Sequence, residues 1–294
     1  MKSVHKLFAI TASLVLLSSL SQAALLTNEF ITAGGDFLVT TNWSLGVVPT
    51  TNHLGVIHNI TVVQTNTSAN TTTMFNNKTL LFSGSGSYSH GAVTRAVTAT
   101  NANITTRNTS LINIANTSNP FTLQNSTLNV YDSSEIRVSK FLMNSGVTVS
   151  FNNTSIGTFG TALTQGIQEF FLISSNSVFT LNDSASVSLS NYGKLNIDAS
   201  GAYMNFTSTG AVYRQYVGNT NTVAELNQMI VDGKIRANGA IVSTNNFKVT
   251  FASGVGTSVQ LIPEPATAGL FGLAGAIVFL LRRQMKKKQT DEID

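Results

Sequence analysis

The chain is 294 residues long, 42% hydrophobic and 10% charged, with a formal net charge of +4 and no cysteine. The missing thiol excludes disulfide staples, cysteine nucleophiles, thiolate-bound zinc and iron–sulfur clusters. The basic excess sits at the two ends; residues 24–262 hold ten Lys and Arg against nine Asp and Glu, which favours neither nucleic acid nor an acidic partner.

The first 23 residues read as a secretory signal. Lys2 and Lys6 form a basic start, residues 7–20 are mostly apolar, and Ser21-Gln22-Ala23 offers small residues for cleavage between Ala23 and Ala24. Residues 24–60 follow as an expected N-terminal cap. They carry the sole tryptophan in Asn42-Trp43-Ser44, before Pro49. Residues 28–60 resemble the opening segment of bacterial surface β-helix and autotransporter-passenger-like proteins, in which a tryptophan precedes a proline turn and the first coil. A solenoid needs such a cap to close its first apolar rung. Core packing of Trp43 competes here with stacking on a sugar ring.

Residues 61–221 are expected to form the body. Their Asn, Thr and Ser content is high, yet apolar residues alternate with polar ones in Phe121/Leu123, Leu128/Val130, Ile136/Val138, Phe179/Leu181, Val187/Leu189, Leu195/Ile197 and Met204/Phe206. Alternation of period two marks short strands with one buried face. Successive strands start seven to nine residues apart, and turn formers such as Asn125-Ser126, Asp132-Ser133 and Asn182-Asp183 separate them. Three such units give a coil of roughly 24 residues, which suits an all-β, right-handed parallel β-helix. An antiparallel β-sandwich is the alternative. The Ser83-Gly84-Ser85-Gly86 run matches no phosphate-binding loop and reads as a flexible segment.

Thr222-Val223-Ala224-Glu225 is a capping box, and Leu226, Met229 and Ile230 share one helical face before Gly233. One short helix over 223–232 is expected, then strands near 235–242 and 247–251. Residues 222–253 thus read as a C-terminal cap and 254–262 as a linker.

The tail joins three signals in order. Pro263-Glu264-Pro265 precedes an uncharged stretch, 266–281, and then Arg282, Arg283 and Lys286 to Lys288. Sixteen residues span roughly 24 Å as a helix, somewhat short of a hydrocarbon core. The cations would hold its far end, and residues 289–294, in the cytoplasm. The prolines stop the helix from extending backwards. This arrangement over 263–288 resembles the PEP-CTERM sorting signal of Gram-negative bacteria. The resemblance implies a temporary membrane handle processed by an exosortase, release from the inner membrane, and association with exopolysaccharide at the cell surface or in a biofilm matrix.

Chemistry-bearing residues are sparse. A polysaccharide lyase or glycoside hydrolase on the same scaffold would need facing carboxylates; Asp132, Glu135, Asp183 and Asp198 are the candidates, and all lie in Ser- and Asn-rich turns. His53, His58 and Asp36 form a weak metal pattern without a clear third ligand. His90 stands in a Gly/Ser-rich context with no partner in sequence. The expectation is therefore a structural protein with no catalytic residue, metal or cofactor.

Overall fold

The computed structural model describes residues 24–64, 73–90, 96–114, 120–160, 169–190, 193–198, 201–216 and 221–263. They form a parallel β-solenoid with three sheets. The first sheet stacks nine strands: Leu26–Glu29, His53–His58, Thr79–Ser83, Asn103–Thr106, Thr127–Val130, Thr148–Phe151, Val178–Leu181, Tyr203–Phe206 and Ile235–Ala237. The second contains Thr61–Gln64, Ser87–His90, Leu111–Ile114, Glu135–Val138, Ile156–Phe159, Ser186–Leu189 and Val212–Gln215 in parallel. The third holds Val97–Thr100, Pro120–Gln124, Lys140–Met143, Glu169–Ile173 and Lys194–Ile197. The strands of these coils pair in parallel, which removes the sandwich alternative.

Alternation builds the core. In most rungs the strand buries two residues and presents two outward. The buried set includes every period-two pair named above. Aromatic rings stack along the axis. Phe121, Phe141 and Phe171 occupy one register column of the third sheet, with neighbouring centroids 5.9 Å apart. Phe151 and Phe179, diagonal neighbours on adjacent strands of the first sheet, bring their ring centroids within 5.4 Å. Gly157 faces inward opposite Phe151, where a Cβ would approach the Phe151 ring at 3.1 Å. Glycine at this inward site makes room for the ring.

Coil length varies around the expected value. Ser110 and Ser134 stack 24 residues apart, Asp132 and Asn153 only 21, and Asn153 and Asp183 fully 30. The short coil has a tight corner at Ser139; the long one includes residues 161–168, outside the described set.

The corners explain the composition. Among the described residues, ten non-glycine residues have positive φ, and all are Asn or Asp. Left-handed backbone is least costly for Asn and Asp among residues with a Cβ, because their side chains hydrogen-bond locally. One corner column runs through Asn59, Gly84, Asn108, Asp132, Asn153 and Asp183; another contains Asn77, Asn101, Asn125, Gly146 and Asn176. The Ser83–Gly86 run belongs to the first of these. Ser85 N–H donates to Asn59 Oδ1 at 2.9 Å and Gly84 N–H to Asn108 Oδ1 at 3.1 Å. It is a fixed corner, contrary to the flexible segment expected from its glycines.

Parallel stacking starts earlier than residue 61, since Leu26–Glu29 and His53–His58 already belong to the first sheet. Trp43 is buried under this first rung. Its ring packs edge-on against Phe30 at 5.0 Å and Phe37 at 5.1 Å, and its Nε1–H donates to Phe37 O at 2.8 Å. At the other end, the helix Val223–Val231 carries the expected capping box, with Thr222 Oγ1 accepting Glu225 N–H and Glu225 Oε2 accepting Thr222 N–H. Leu226 and Ile230 bury against the last coil. The strand after the helix is shorter than expected, Ile235–Ala237. Residues 254–262 are not a free linker: Gly256–Leu261 is a strand, antiparallel both to Val212–Gln215 and to Phe247–Ala252.

The apolar stretch 266–281 lies outside the described residues. Among the described ones, no helix is long and apolar enough to cross a membrane.

Candidate functional site

Of the residues expected to direct export, Ala24 and Pro263 are described, and both are exposed. Ala23, Glu264, Pro265, Arg282 and Arg283 lie outside the described residues.

Of the carboxylates weighed as catalytic, Asp132 and Asp183 tie the corners together, whereas Glu135, expected in a turn, opens the strand Glu135–Val138. Asp132 Oδ2 accepts the Asn108 backbone N–H, and its Oδ1 accepts Asn153 Nδ2–H, both at 2.9 Å. These bonds stabilise the charged form and hold the Asp132 carboxyl below the usual range. Asp183 Oδ2 accepts the Asn153 N–H at 2.9 Å. The two aspartates thus bracket Asn153 on a convex corner, two rungs apart, or roughly 10 Å. Glu135 forms a two-pronged pair with Arg137 at 2.6 and 2.7 Å on the outside of the second sheet. Asp198 sits just past Lys194–Ile197, where its N–H donates to Ile173 O at 2.9 Å.

The histidine pattern dissolves. His53 and His58 are five apart on one strand, so their side chains leave on opposite faces. His53 Nδ1 accepts Thr50 N–H at 3.1 Å, whereas His58 pairs with Ser83 and Asn59. Asp36 is tied to Leu38 N–H and Gln64 Nε2. Among the described residues, no cluster of three or more metal-ligating side chains occurs.

His90 does have a partner, contrary to its reading in sequence. It points inward from Ser87–His90, 1% exposed, with Nδ1 2.8 Å from the Tyr88 hydroxyl. Burial pushes its imidazole pKa down. Its Nε2 and the Oε1 of Gln64, one rung away in register, lack partners among the described residues.

The outer face of the first sheet is the most distinctive surface. Thr105, Asn129, Ser150 and Thr180 occupy one register column. Asn103, Thr127 and Thr148 form the neighbouring column. All seven point outward at an inter-strand spacing of about 4.8 Å, and none of their side chains is bonded within the described residues. The four strands carrying them contain no ionisable side chain. Two arginine–tyrosine stacks border this neutral field: Arg107 over Tyr131 at 4.7 Å and Arg236 over Tyr203 at 4.0 Å. The outer face of the second sheet differs, because there Glu135 bonds to Arg137 and Thr158, and Ser87 bonds to Thr61. The signal for this field in sequence is the polar half of each alternating strand, which reads as generic solvent exposure until register aligns it.

Comparison with family models, with curated proteins and with solved structures finds no match to this chain.

Proposed function

We propose that this is an exported structural protein of the cell surface or extracellular matrix, sorted through a PEP-CTERM signal and associated with exopolysaccharide. The observation that carries the reading is the order of Pro263-Glu264-Pro265, an uncharged stretch and a basic cluster at one end, facing a secretory signal at the other. In this reading residues 266–281 form a transmembrane helix in transit, an exosortase removes the tail near Pro263, and Arg282 and Arg283 stay on the cytoplasmic side. The coils wind right-handed, the hand favoured for parallel strand–crossover–strand connections.

The neutral outer field supports a structural role without catalysis. Unpaired hydroxyls and amides repeating about every 4.8 Å offer donors and acceptors to an extended, hydrated, uncharged glycan without a charge penalty. The corner aspartates, already bonded to backbone amides, act as rung connectors.

Fractionation tests the sorting step. The wild-type chain is expected outside the inner membrane with its C-terminus ending near Pro263 by mass spectrometry. A variant with Pro263, Glu264 and Pro265 all changed to Ala should accumulate as full-length protein in the inner membrane. Full-length wild type in that membrane, in a host with an exosortase, refutes the reading.

A further inference from the structure

Most terminal strands of the three sheets have cover on the outer edge. On the second sheet's first strand, Gly34 N–H donates to Thr61 O and Val63 N–H to Gly35 O. The first sheet's first strand is held by Ser44, whose N–H donates to Glu29 O. In the third sheet, Thr100 N–H reaches Asn76 Oδ1 and Leu195 N–H reaches Asn221 Oδ1. The last strand of the second sheet, Phe247–Ala252, differs. Its pairing with Gly256–Leu261 uses the alternate residues Lys248, Thr250 and Ala252, a phase set by Ile262 N–H donating to Asn246 O. The peptide groups of Val249 and Phe251 therefore face away from the solenoid. They have no partner among the described residues. Phe251 is 62% exposed beside them.

We propose that this edge pairs with the same edge of a second copy, giving an antiparallel two-fold dimer centred on Val249. The register follows from which groups remain open. Phe247 N–H already donates to Thr244 O, so its carbonyl is the group left for a partner. With the axis at Val249, the two Val249 residues exchange N–H and C=O, and each Phe251 N–H donates to Phe247 O of the other copy. The four resulting bonds leave the internal Phe247 bond intact. Phe251 then lies opposite the second copy's Phe247 on the same face, an aromatic cross-strand pair. Lys248 lies opposite Thr250, so no like charges meet. The strand is self-complementary, as an isologous contact requires. An open, flat, apolar edge is otherwise an aggregation hazard that proteins close.

The chain lacks cysteine, which makes single-cysteine cross-linking of the full chain in detergent a clean test. Val249→Cys should give a disulfide-linked dimer on mild oxidation. Ser258→Cys, one strand further from the axis, should stay monomeric. By sedimentation the wild type should be a dimer, and Phe251→Asp, altering an exposed side chain, should weaken association at least about tenfold. Four outcomes overturn the proposal: a monomeric wild type at about 10 µM, association unchanged in Phe251→Asp, a folded Val249→Cys chain that remains unlinked, or preferential linking through Ser258→Cys. If Val249→Cys does not fold, the Phe251→Asp comparison decides alone, because association through the tail would be untouched by that change.

Discussion

Asp132 Oδ2 accepts the backbone N–H of Asn108 at 2.9 Å across one full coil, while its own backbone sits at φ 59°. One side chain both tolerates the left-handed corner and ties the preceding rung to its own. Asp132→Asn keeps the corner conformation and one acceptor oxygen, whereas Asp132→Ala loses the acceptors and adds left-handed strain. Thermal melts should rank wild type above Asn and Asn above Ala. The pH dependence has a definite sign. The Asp132 pKa is depressed on folding, so its contribution is present above the unfolded value of about 3.9 and is lost as pH falls through the folded value. The gap between wild type and Asp132→Asn should close in that acid range; a gap that persists there contradicts the assignment.

Ser126 lies inside a corner, 4% exposed. Its Oγ accepts Ala102 N–H at 2.9 Å and donates to Ala99 O at 2.8 Å, both from the previous coil. Ser126→Ala leaves that amide without its acceptor in a dry setting. A loss of about 1–3 kcal/mol is expected in denaturant unfolding. A change within the error of measurement would show that water replaces the hydroxyl.

Gly157 is required by volume and not by conformation, since it has no positive φ. An added Cβ would meet Val187 Cγ2 at 2.9 Å and the Phe151 ring at 3.1 Å. Gly157→Val should cost about 1–3 kcal/mol by overpacking. Gly157→Ala should cost less, because it adds one carbon to this space and Val adds three. Rescue of Gly157→Val by Phe151→Leu, read in a double-mutant cycle, would locate the strain between these two side chains.

The solenoid was legible because its core obeys a period of two in nearly every rung, and because Asn and Asp mark the left-handed corners. Asn59, Asn77, Asn108 and Asn125 each sit at positive φ, with Ser or Thr two residues later. Part of the Asn-x-Ser/Thr content is thus corner chemistry. Coil length was less legible. Adding residues between Phe159 and Glu169 lengthens one coil without disturbing the alternation on either side. The strand Gly256–Leu261 was hidden for a different reason: it turns back through a hairpin lacking an Asn-Gly or Asp-Gly pair, and few of its residues are apolar. The inward position of His90 was masked by its polarity. It repeats a motif seen at Val62/Gln64 and Tyr213/Gln215, in which the second inward residue is polar. The neutral outer field required register, which polar residues do not reveal singly.

That field yields a prediction separable from stability. Thr105, Asn129, Ser150 and Thr180 point outward and are unbonded within the described residues, so changing all four to Ala should alter the unfolding free energy by no more than about 0.5 kcal/mol per site. Co-sedimentation with the host's exopolysaccharide should nevertheless fall. Equal loss after alanine substitution of Ser87 and Thr61, which bond to each other on the second sheet, would mean that glycan contact is not specific to the first sheet.

His90 makes acid the weak point of the N-terminal coils. It is enclosed with Tyr88, Met74 and Gln64, its Nδ1 is 2.8 Å from the Tyr88 hydroxyl, and its Nε2 has no described partner. Desolvation lowers its folded pKa, so the unfolded chain binds the proton more readily. Stability is then greatest above the unfolded value of about 6.5 and declines as pH falls from there toward the folded value. His90→Phe removes the titration and should flatten the melting temperature between about pH 7 and pH 5, even if it lowers the absolute value by taking the imidazole partner from the Tyr88 hydroxyl. Asp132 contributes nothing to this interval, because its transition lies below the ordinary carboxylate range, so the two variants separate the two acid effects. A His90→Phe profile as steep as the wild type's would place the neutral-range proton uptake on another group and remove the imidazole from the account.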